Sequence, residues 1–169
     1  MPAGRLRLPR HLRACLTSAV AEVRIRRAES GDALVVAALV LQCALHRGGS
    51  GEPGFLDRFA RAWLEQEEAL PVWIAEAGDD HGGFLQARVL EPLPWPARTD
   101  APSLAVETFF VRPAHRGIGL GEQLLRTAVG WARDRGFAGV TMAAGRHTRP
   151  MVERVGLVPD PGAHRLDLS

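Results

Sequence analysis

Arg116, Gly117, Gly119 and Gly121 fall within six residues, directly before a leucine-rich segment. A glycine backbone adopts conformations that a β-carbon would resist, and it lets a ligand approach the main chain closely. If a helix starts after this turn, its first amides lack intrahelical partners and lie at the positive end of the helix dipole. The spacing therefore predicts an anion site, for which phosphate is the most natural ligand.

Two kinds of glycine-rich phosphate loop do not fit these residues. A Walker-type loop needs a lysine after its last glycine, but all 21 of the Lys and Arg residues in this chain are arginine. A dinucleotide-binding turn needs glycines at its first, third and sixth positions, whereas the sixth position counted from Gly117 is Glu122. The first comparison excludes a P-loop and the second disfavours a Rossmann site.

The segment Arg116-Gly117-Ile118-Gly119-Leu120-Gly121 resembles the (Arg/Gln)-x-x-Gly-x-(Gly/Ala) signature of the GNAT family of N-acetyltransferases. It follows Phe-Phe-Val and Arg-Pro-Ala-His and precedes Leu-Leu, a context that strengthens the resemblance. The resemblance implies that acetyl-coenzyme A (acetyl-CoA) is the co-substrate and that backbone amides in the turn hold its pyrophosphate. The expected amides are those of Arg116, Gly117, Ile118, Gly119, Leu120, Gly121 and Glu122. For the Arg116 side chain, pairing with phosphate and simple solvation both remain open.

The same resemblance assigns the preceding strand to the pantetheine arm of acetyl-CoA. Main-chain groups of Phe109, Phe110 and Val111 would bind this arm, and the Val111 amide is the candidate donor to the oxyanion. An alkyl ammonium, with a pKa of about 10.4, is almost wholly protonated at neutral pH, so the reaction also requires a proton acceptor.

Glu107 is the candidate base. On an alternating strand it would share a face with Phe109 and Val111, and its surroundings resemble the matching strand of diamine acetyltransferases, where a glutamate is proposed to act through water. The alternative is that Glu107 only binds the substrate cation or caps an edge. A bulge in the strand would turn the side chain away.

The expected proton donor is missing. Alignment of residues 151–157 on the family's usual Leu-Tyr-Glu-Lys-Leu-Gly-Phe places Val152 where a tyrosine commonly acts, and the asparagine common upstream is absent too. A proton for the leaving thiolate would then come from water or from His147. If neither serves, the chain would bind acetyl-CoA without efficient turnover.

Charge and composition limit the other functions. Residues 1–22 carry four arginines and one glutamate, a net of +3, which leaves −1 for residues 23–169 because the whole chain carries +2. We therefore expect no nucleic-acid partner for the body of the protein.

No apolar run approaches the ~20 residues of a membrane span, so we expect no membrane association and a cytoplasmic protein. The six histidines show no metal-ligand spacing, and we expect no metal.

The pattern along the chain predicts alternating elements. Strands are expected at 23–27, 72–77, 84–90, 104–111, 138–143 and 165–168, and helices at 31–46, from Pro53, from Leu120 to Gly136 and at 147–154. This order is what the resemblance implies over residues 23–169: a mixed α+β GNAT fold, with a mostly antiparallel sheet, a splayed parallel strand pair and flanking helices. Residues 1–22 are expected to form a basic extension, either loosely docked or a targeting segment.

These observations predict an N-acetyltransferase that moves acetyl from acetyl-CoA to a primary amine of a small molecule or peptide by direct attack. The alternative is a non-catalytic acyl-CoA-binding or regulatory domain, which the valine at position 152 favours. Domains that resemble this family are often dimers, so a homodimer is an expected state.

Overall fold

Within the described residues, five strands form one sheet in the order in which they occur along the chain. The computed structural model describes residues 23–97 and 100–160. The strands are β1 (Val23–Arg27), β2 (Val72–Ala77), β3 (Asp80–Leu90), β4 (Ser103–Val111) and β5 (Gly139–Met142), and the helices are α1 (Ala33–His46), α2 (Phe55–Leu64), α3 (Leu120–Asp134) and α4 (Arg149–Val155). Neighbouring strands are antiparallel except β4 and β5, which are parallel. The predicted mixed fold, with a mostly antiparallel sheet and one parallel pair, is confirmed.

Each face of the sheet carries its own hydrophobic core. Val36 of α1 and Trp63 of α2 pack with Phe84 and Phe110 on one face. On the other face, residues of α3 and α4 pack with Trp73 and the first half of β4. Because β2 and β3 are covered on both sides, their residues are buried with little alternation, as expected for central strands.

Several predicted boundaries shift. The turn between β2 and β3 is only Gly78 and Asp79, since Asp80 to Gly83 already belong to β3. Gly54 precedes α2 with a φ of 70°, so this helix starts after Pro53 rather than at it. The strand predicted at 165–168 and the extension at 1–22 lie outside the described residues. No helix within the described residues is long and apolar enough to cross a membrane.

Arg26 of β1 connects the edge of the sheet to the start of α1 and to β2. The guanidinium of Arg26 donates to both carboxylate oxygens of Asp32, at 2.5 and 2.7 Å, and to Oε1 of Glu76 at 2.6 Å. These three side chains are only 16 to 26% exposed. The hydrogen bonds from Arg26 lower the pKa of Asp32 below its usual range.

We expect Arg26→Met to lower the free energy of unfolding by about 2 kcal/mol at pH 7, because two half-buried carboxylates lose their shared cation. The folded pKa of Asp32 lies below its unfolded value, so this stabilisation is present at neutral pH. It is lost as the pH falls through the folded pKa. Urea unfolding of both proteins at pH 7 and in acid measures the difference. Arg24→Met on the same strand removes an exposed arginine, and an equal loss there would contradict the assignment.

Candidate active site

An opening forms where β4 and β5 separate. The two strands pair over four residues each, from Ser103 opposite Gly139 to Val106 opposite Met142, and β5 then ends while β4 continues to Val111. A cavity of about 300 Å³ lies at this point of divergence. It is lined by Arg47, Val106, Glu107, Phe109, Met142, Ala143, Gly145, Arg146, His147 and Thr148. The expected splay of a parallel strand pair is therefore present, and the predicted base lies in its wall.

A β-bulge in β4 places Glu107 at the opening. Thr108 pairs with Gln86 and Val106 pairs with Ala87, so Glu107 is one residue more than β3 can match. The bulge resets the alternation of side chains, and Phe109 and Val111 lie in the same core as Val106. The expectation that Glu107 shares a face with Phe109 by uninterrupted alternation is wrong, because the bulged residue leaves the pleat. The carboxylate nevertheless lines the cavity.

The peptide groups of β4 beyond the bulge alternate between β3 and the opening. The amide of Arg112 donates to the Gly82 carbonyl at 2.9 Å, and Phe110 lies opposite Phe84. In an antiparallel pair, successive residues direct their peptide groups to opposite sides. The peptide groups of Phe109 and Val111 therefore face the opening. Phe110 was predicted to offer main-chain groups to the pantetheine arm, but its peptide groups are directed toward β3.

The glycine turn exposes a run of free amides at the start of α3. Gly117 and Gly119 have φ values of 82° and 81°, a region that other residues rarely adopt. Within the described part of the chain, no carbonyl or side chain accepts a hydrogen bond from the amides of residues 117–122. The Arg116 amide, which was predicted to belong to the same set, instead donates to the Pro113 carbonyl at 3.3 Å because it closes the short turn before the glycines. Such amides at the positive end of a 15-residue helix form a cradle for an anion. The geometry therefore suits the predicted pyrophosphate site.

The Arg116 side chain supports the turn. Its Nε donates to the Val111 carbonyl at 2.9 Å, and its Nη2 lies 2.8 Å from Nε2 of His46. Because a guanidinium only donates, Nε2 of His46 accepts this hydrogen bond. The His46 ring in turn packs against Phe110, with 5.6 Å between ring centroids. The arginine therefore connects the turn to β4 and α1, and the role of His46 was not recognised from the sequence.

Gly121 has a different role from the other two glycines of the turn. It lies within α3, and a β-carbon there would come within 2.8 Å of Cζ of Phe109 and 3.2 Å of the sulfur of Met151. The absence of a side chain at Gly121 therefore lets the Phe109 ring and α4 pack closely against the first turn of α3.

We expect Gly121→Ala to destabilise the fold by about 1 to 3 kcal/mol, because the added methyl group overpacks the contact with Phe109. Thermal unfolding measures the loss. Gly130→Ala is the matched control, since this glycine lies in the same helix and a β-carbon there meets no atom within 4 Å. Equal melting temperatures for the two variants would contradict the packing role.

The Glu122 side chain joins α3 to α4. Arg126 donates to its Oε1 at 2.8 and 3.0 Å, and Nε of Arg154 donates to its Oε2 at 3.0 Å. These hydrogen bonds lower the pKa of the Glu122 carboxyl, and the bond from Arg126 has the largest effect. The Glu122 carboxylate is thus neutralised by two arginines beside the anion cradle, while its amide remains available.

The charged groups around the cavity are mostly cationic. Nε of Arg88 donates to Oε1 of Glu107 at 2.5 Å, and its Nη2 lies 3.4 Å from Oε2, which leaves Oε2 more accessible to a water or a substrate. Arg47 and Arg146 are exposed. Neither arginine forms an ion pair with a residue that the structure describes. No motif or spacing indicates that Arg47, which follows α1, lies beside residues of the segment before α4.

Val152 is buried in the second core and is 6% exposed. It does not line the cavity that holds Glu107, whereas the exposed His147 and the half-buried Thr148 do. Position 152 therefore contributes packing and offers no proton.

Comparisons with known proteins agree with this geometry. The model of the acetyltransferase (GNAT) family matches residues 40–157. No curated protein matches the chain.

Several solved structures share the fold. A predicted acetyltransferase from Clostridium acetobutylicum, solved with acetyl-CoA, is 17% identical, with a TM-score of 0.71 over 87% of this chain and 97% of that one. An aminoglycoside acetyltransferase from an uncultured soil metagenomic sample, solved with sisomicin, is 16% identical, with a TM-score of 0.73 over 87% and 95%. A ribosomal-protein-alanine N-acetyltransferase from Brucella melitensis is 24% identical, with a TM-score of 0.66 over 88% and 100%.

Proposed function

Because the chain belongs to the acetyltransferase (GNAT) family, we propose that it transfers an acetyl group from acetyl-CoA to a primary amine by direct attack, without a covalent enzyme intermediate. The observation that carries this proposal is the opening between β4 and β5 with Glu107 in its wall, next to a turn of free amides that contacts the end of β4 through Arg116 and Val111. The proposed domain comprises residues 23–169.

The residues of the glycine turn suit the binding of acetyl-CoA, the acetyl donor. The amides of residues 117–122 would hold the pyrophosphate of acetyl-CoA, since they have no partner among the described residues and lie at a helix N-terminus. The peptide groups of Phe109 and the amide of Val111 would hold the pantetheine arm and its thioester along the side of β4 that faces the opening, while the Val111 carbonyl accepts from Arg116. Acetyl-CoA supplies a thioester whose carbonyl carbon is open to attack by an amine. The Val111 amide would donate a hydrogen bond to the carbonyl oxygen as negative charge develops on it.

Glu107 would accept the proton of the amine through a water molecule. Its Oε2 is the better placed oxygen, because Oε1 accepts the short hydrogen bond from Arg88. Arg88 also fixes the orientation of the carboxylate, which a general base requires. Since Val152 is buried and apolar, the proton for the departing thiolate would come from water or from His147, which lines the cavity.

The second candidate function is a domain that binds acyl-CoA without turnover. The apolar residue at position 152 favours it, because a tyrosine is common there in the family and this chain contains none. In this case the cradle of amides would be used and Glu107 would be only a partner of Arg88.

Release of free thiol from acetyl-CoA, measured with a panel of polyamines, aminoglycosides, amino acids and peptides, tests the proposal. We expect at least one amine to raise the rate above the hydrolytic background in proportion to its concentration. If acetyl-CoA binds but no amine accelerates thiol release, the binding-domain function is the correct one.

A further inference from the structure

We propose that the acetyl acceptor is a small amine that also carries a carboxylate, as a free amino acid does, and that Arg47 and Arg146 bind this carboxylate. The inference rests on the proposed acetyl transfer and concerns the selection of the amine. It follows from the charge and the size of the cavity at the point where β4 and β5 diverge.

The two arginines come from different elements and line the same cavity. Arg47 caps the C-terminal end of α1, and Arg146 lies in the segment between β5 and α4. Both side chains are exposed, and neither is paired with a carboxylate of the described residues. Their guanidinium groups therefore keep their hydrogen-bond donors available to a ligand.

The acidic group in the cavity wall does not offset this charge. Glu107 is the acidic residue among those that line the cavity, and Arg88 holds it in an ion pair with an N–O distance of 2.5 Å. A polyamine or an aminoglycoside brings several positive charges to a surface that already carries two unpaired guanidinium groups. A carboxylate instead gains charge-assisted hydrogen bonds that guanidinium geometry suits, often as a bidentate pair.

The volume limits the size of the acceptor, because the thioester end of acetyl-CoA would occupy part of the same opening. About 300 Å³ is at the lower end of the range for small-molecule sites. An amine and a carboxylate in one small molecule fit this space, with the amine toward Glu107 and the carboxylate toward the arginines. The wall also contains apolar surface from Val106, Phe109 and Met142, which suits a short aliphatic chain between the two groups.

The test compares free amino acids with their carboxamides, which keep the amine and lose the negative charge. Rates are expressed per concentration of neutral amine, because the amide raises the fraction of free amine at a given pH. We expect kcat/KM of the wild-type protein to favour the acid over the carboxamide by at least tenfold. Arg47→Gln and Arg146→Gln should each reduce this preference by about tenfold, mainly through KM, because each removes a hydrogen bond to a charged group.

Arg24→Gln is the matched control, since it removes an exposed arginine from β1, whose residues do not line the cavity. A preference for carboxamides or polyamines in the wild-type protein would overturn the inference and leave acetyl transfer intact. So would arginine variants that weaken acetyl-CoA binding without changing the preference, because the arginines would then serve the donor. Absence of thiol release with every amine would instead refute the proposed function.

Discussion

Gly119→Val is expected to weaken acetyl-CoA binding by at least about 100-fold, because the cradle depends on charge-assisted hydrogen bonds that each contribute about 1.5 to 3 kcal/mol. Gly119 precedes α3 with a φ of 81°, and a β-branched residue strongly disfavours this conformation. Space is not the obstacle, since a β-carbon there would meet no atom closer than 4.0 Å. The valine would therefore change the backbone of the turn and redirect its amides away from the pyrophosphate.

Equilibrium binding of acetyl-CoA, by calorimetry or fluorescence, measures this loss. Gly130→Val is the matched control, since it makes the same substitution inside the helix that Gly119 precedes, at a glycine without a positive φ whose β-carbon would meet no described atom outside the helix backbone within 4 Å. Circular dichroism of both variants verifies that they fold. A folded Gly119→Val protein that binds acetyl-CoA with unchanged affinity would refute the phosphate-cradle assignment.

Glu107→Gln should reduce kcat/KM for the amine by about 100-fold at pH 7, which is the lower end of the usual contribution of a general base. The substitution keeps the shape of the side chain and removes its ability to accept a proton. The loss should shrink as the pH rises toward the pKa of an alkyl ammonium, about 10.4, because the amine then loses its proton without help. A pH–rate profile of kcat/KM measures both the loss and its recovery.

Arg88→Gln separates the base role from the ion pair. It removes the group that orients Glu107 and keeps the carboxylate, so the rate should fall less than in Glu107→Gln and should keep its pH dependence. A loss in Glu107→Gln that is independent of pH, matched by an equal loss in Arg88→Gln, would show that the pair only shapes the cavity.

The glycine turn could be predicted from sequence because its requirement is local. Gly117 and Gly119 adopt positive φ angles that few other residues tolerate, and the leucine-rich segment that follows signals the helix that orients their amides. Residue types and spacing therefore carry the information. The order of the elements along the chain could be predicted in the same way, because each strand has its own apolar pattern, whereas the arrangement of the strands in the sheet came from the family resemblance.

The bulge at Glu107 could not be predicted in this way. It depends on how β4 pairs with β3, and the sequence of this nine-residue strand is compatible with pairing both with and without one unmatched residue. The unmatched residue changes which face of the sheet the side chains on either side of it occupy. Beyond the bulge, the peptide groups of Phe110 are directed toward β3.

Long-range contacts account for the other differences. Arg116 and His46 are 70 positions apart, and Arg47 lies beside residues of the β5–α4 segment only because α1 ends near the opening of the sheet. The contact between Gly121 and Phe109 could not be predicted from the sequence either, although the two residues are only 12 positions apart, because it depends on the packing of α3 against β4. Residue types and spacing were enough to predict the cradle of amides. The two arginines in the cavity wall could be identified only from the tertiary structure.

The most direct test of acetyl transfer is mass spectrometry of the amine after incubation with acetyl-CoA that carries an isotopic label in its acetyl group. The proposal predicts labelled N-acetyl amine and free coenzyme A in equal amounts, with both reduced in Glu107→Gln. Free coenzyme A without any acetylated amine, or unreacted acetyl-CoA bound to the protein, would contradict it.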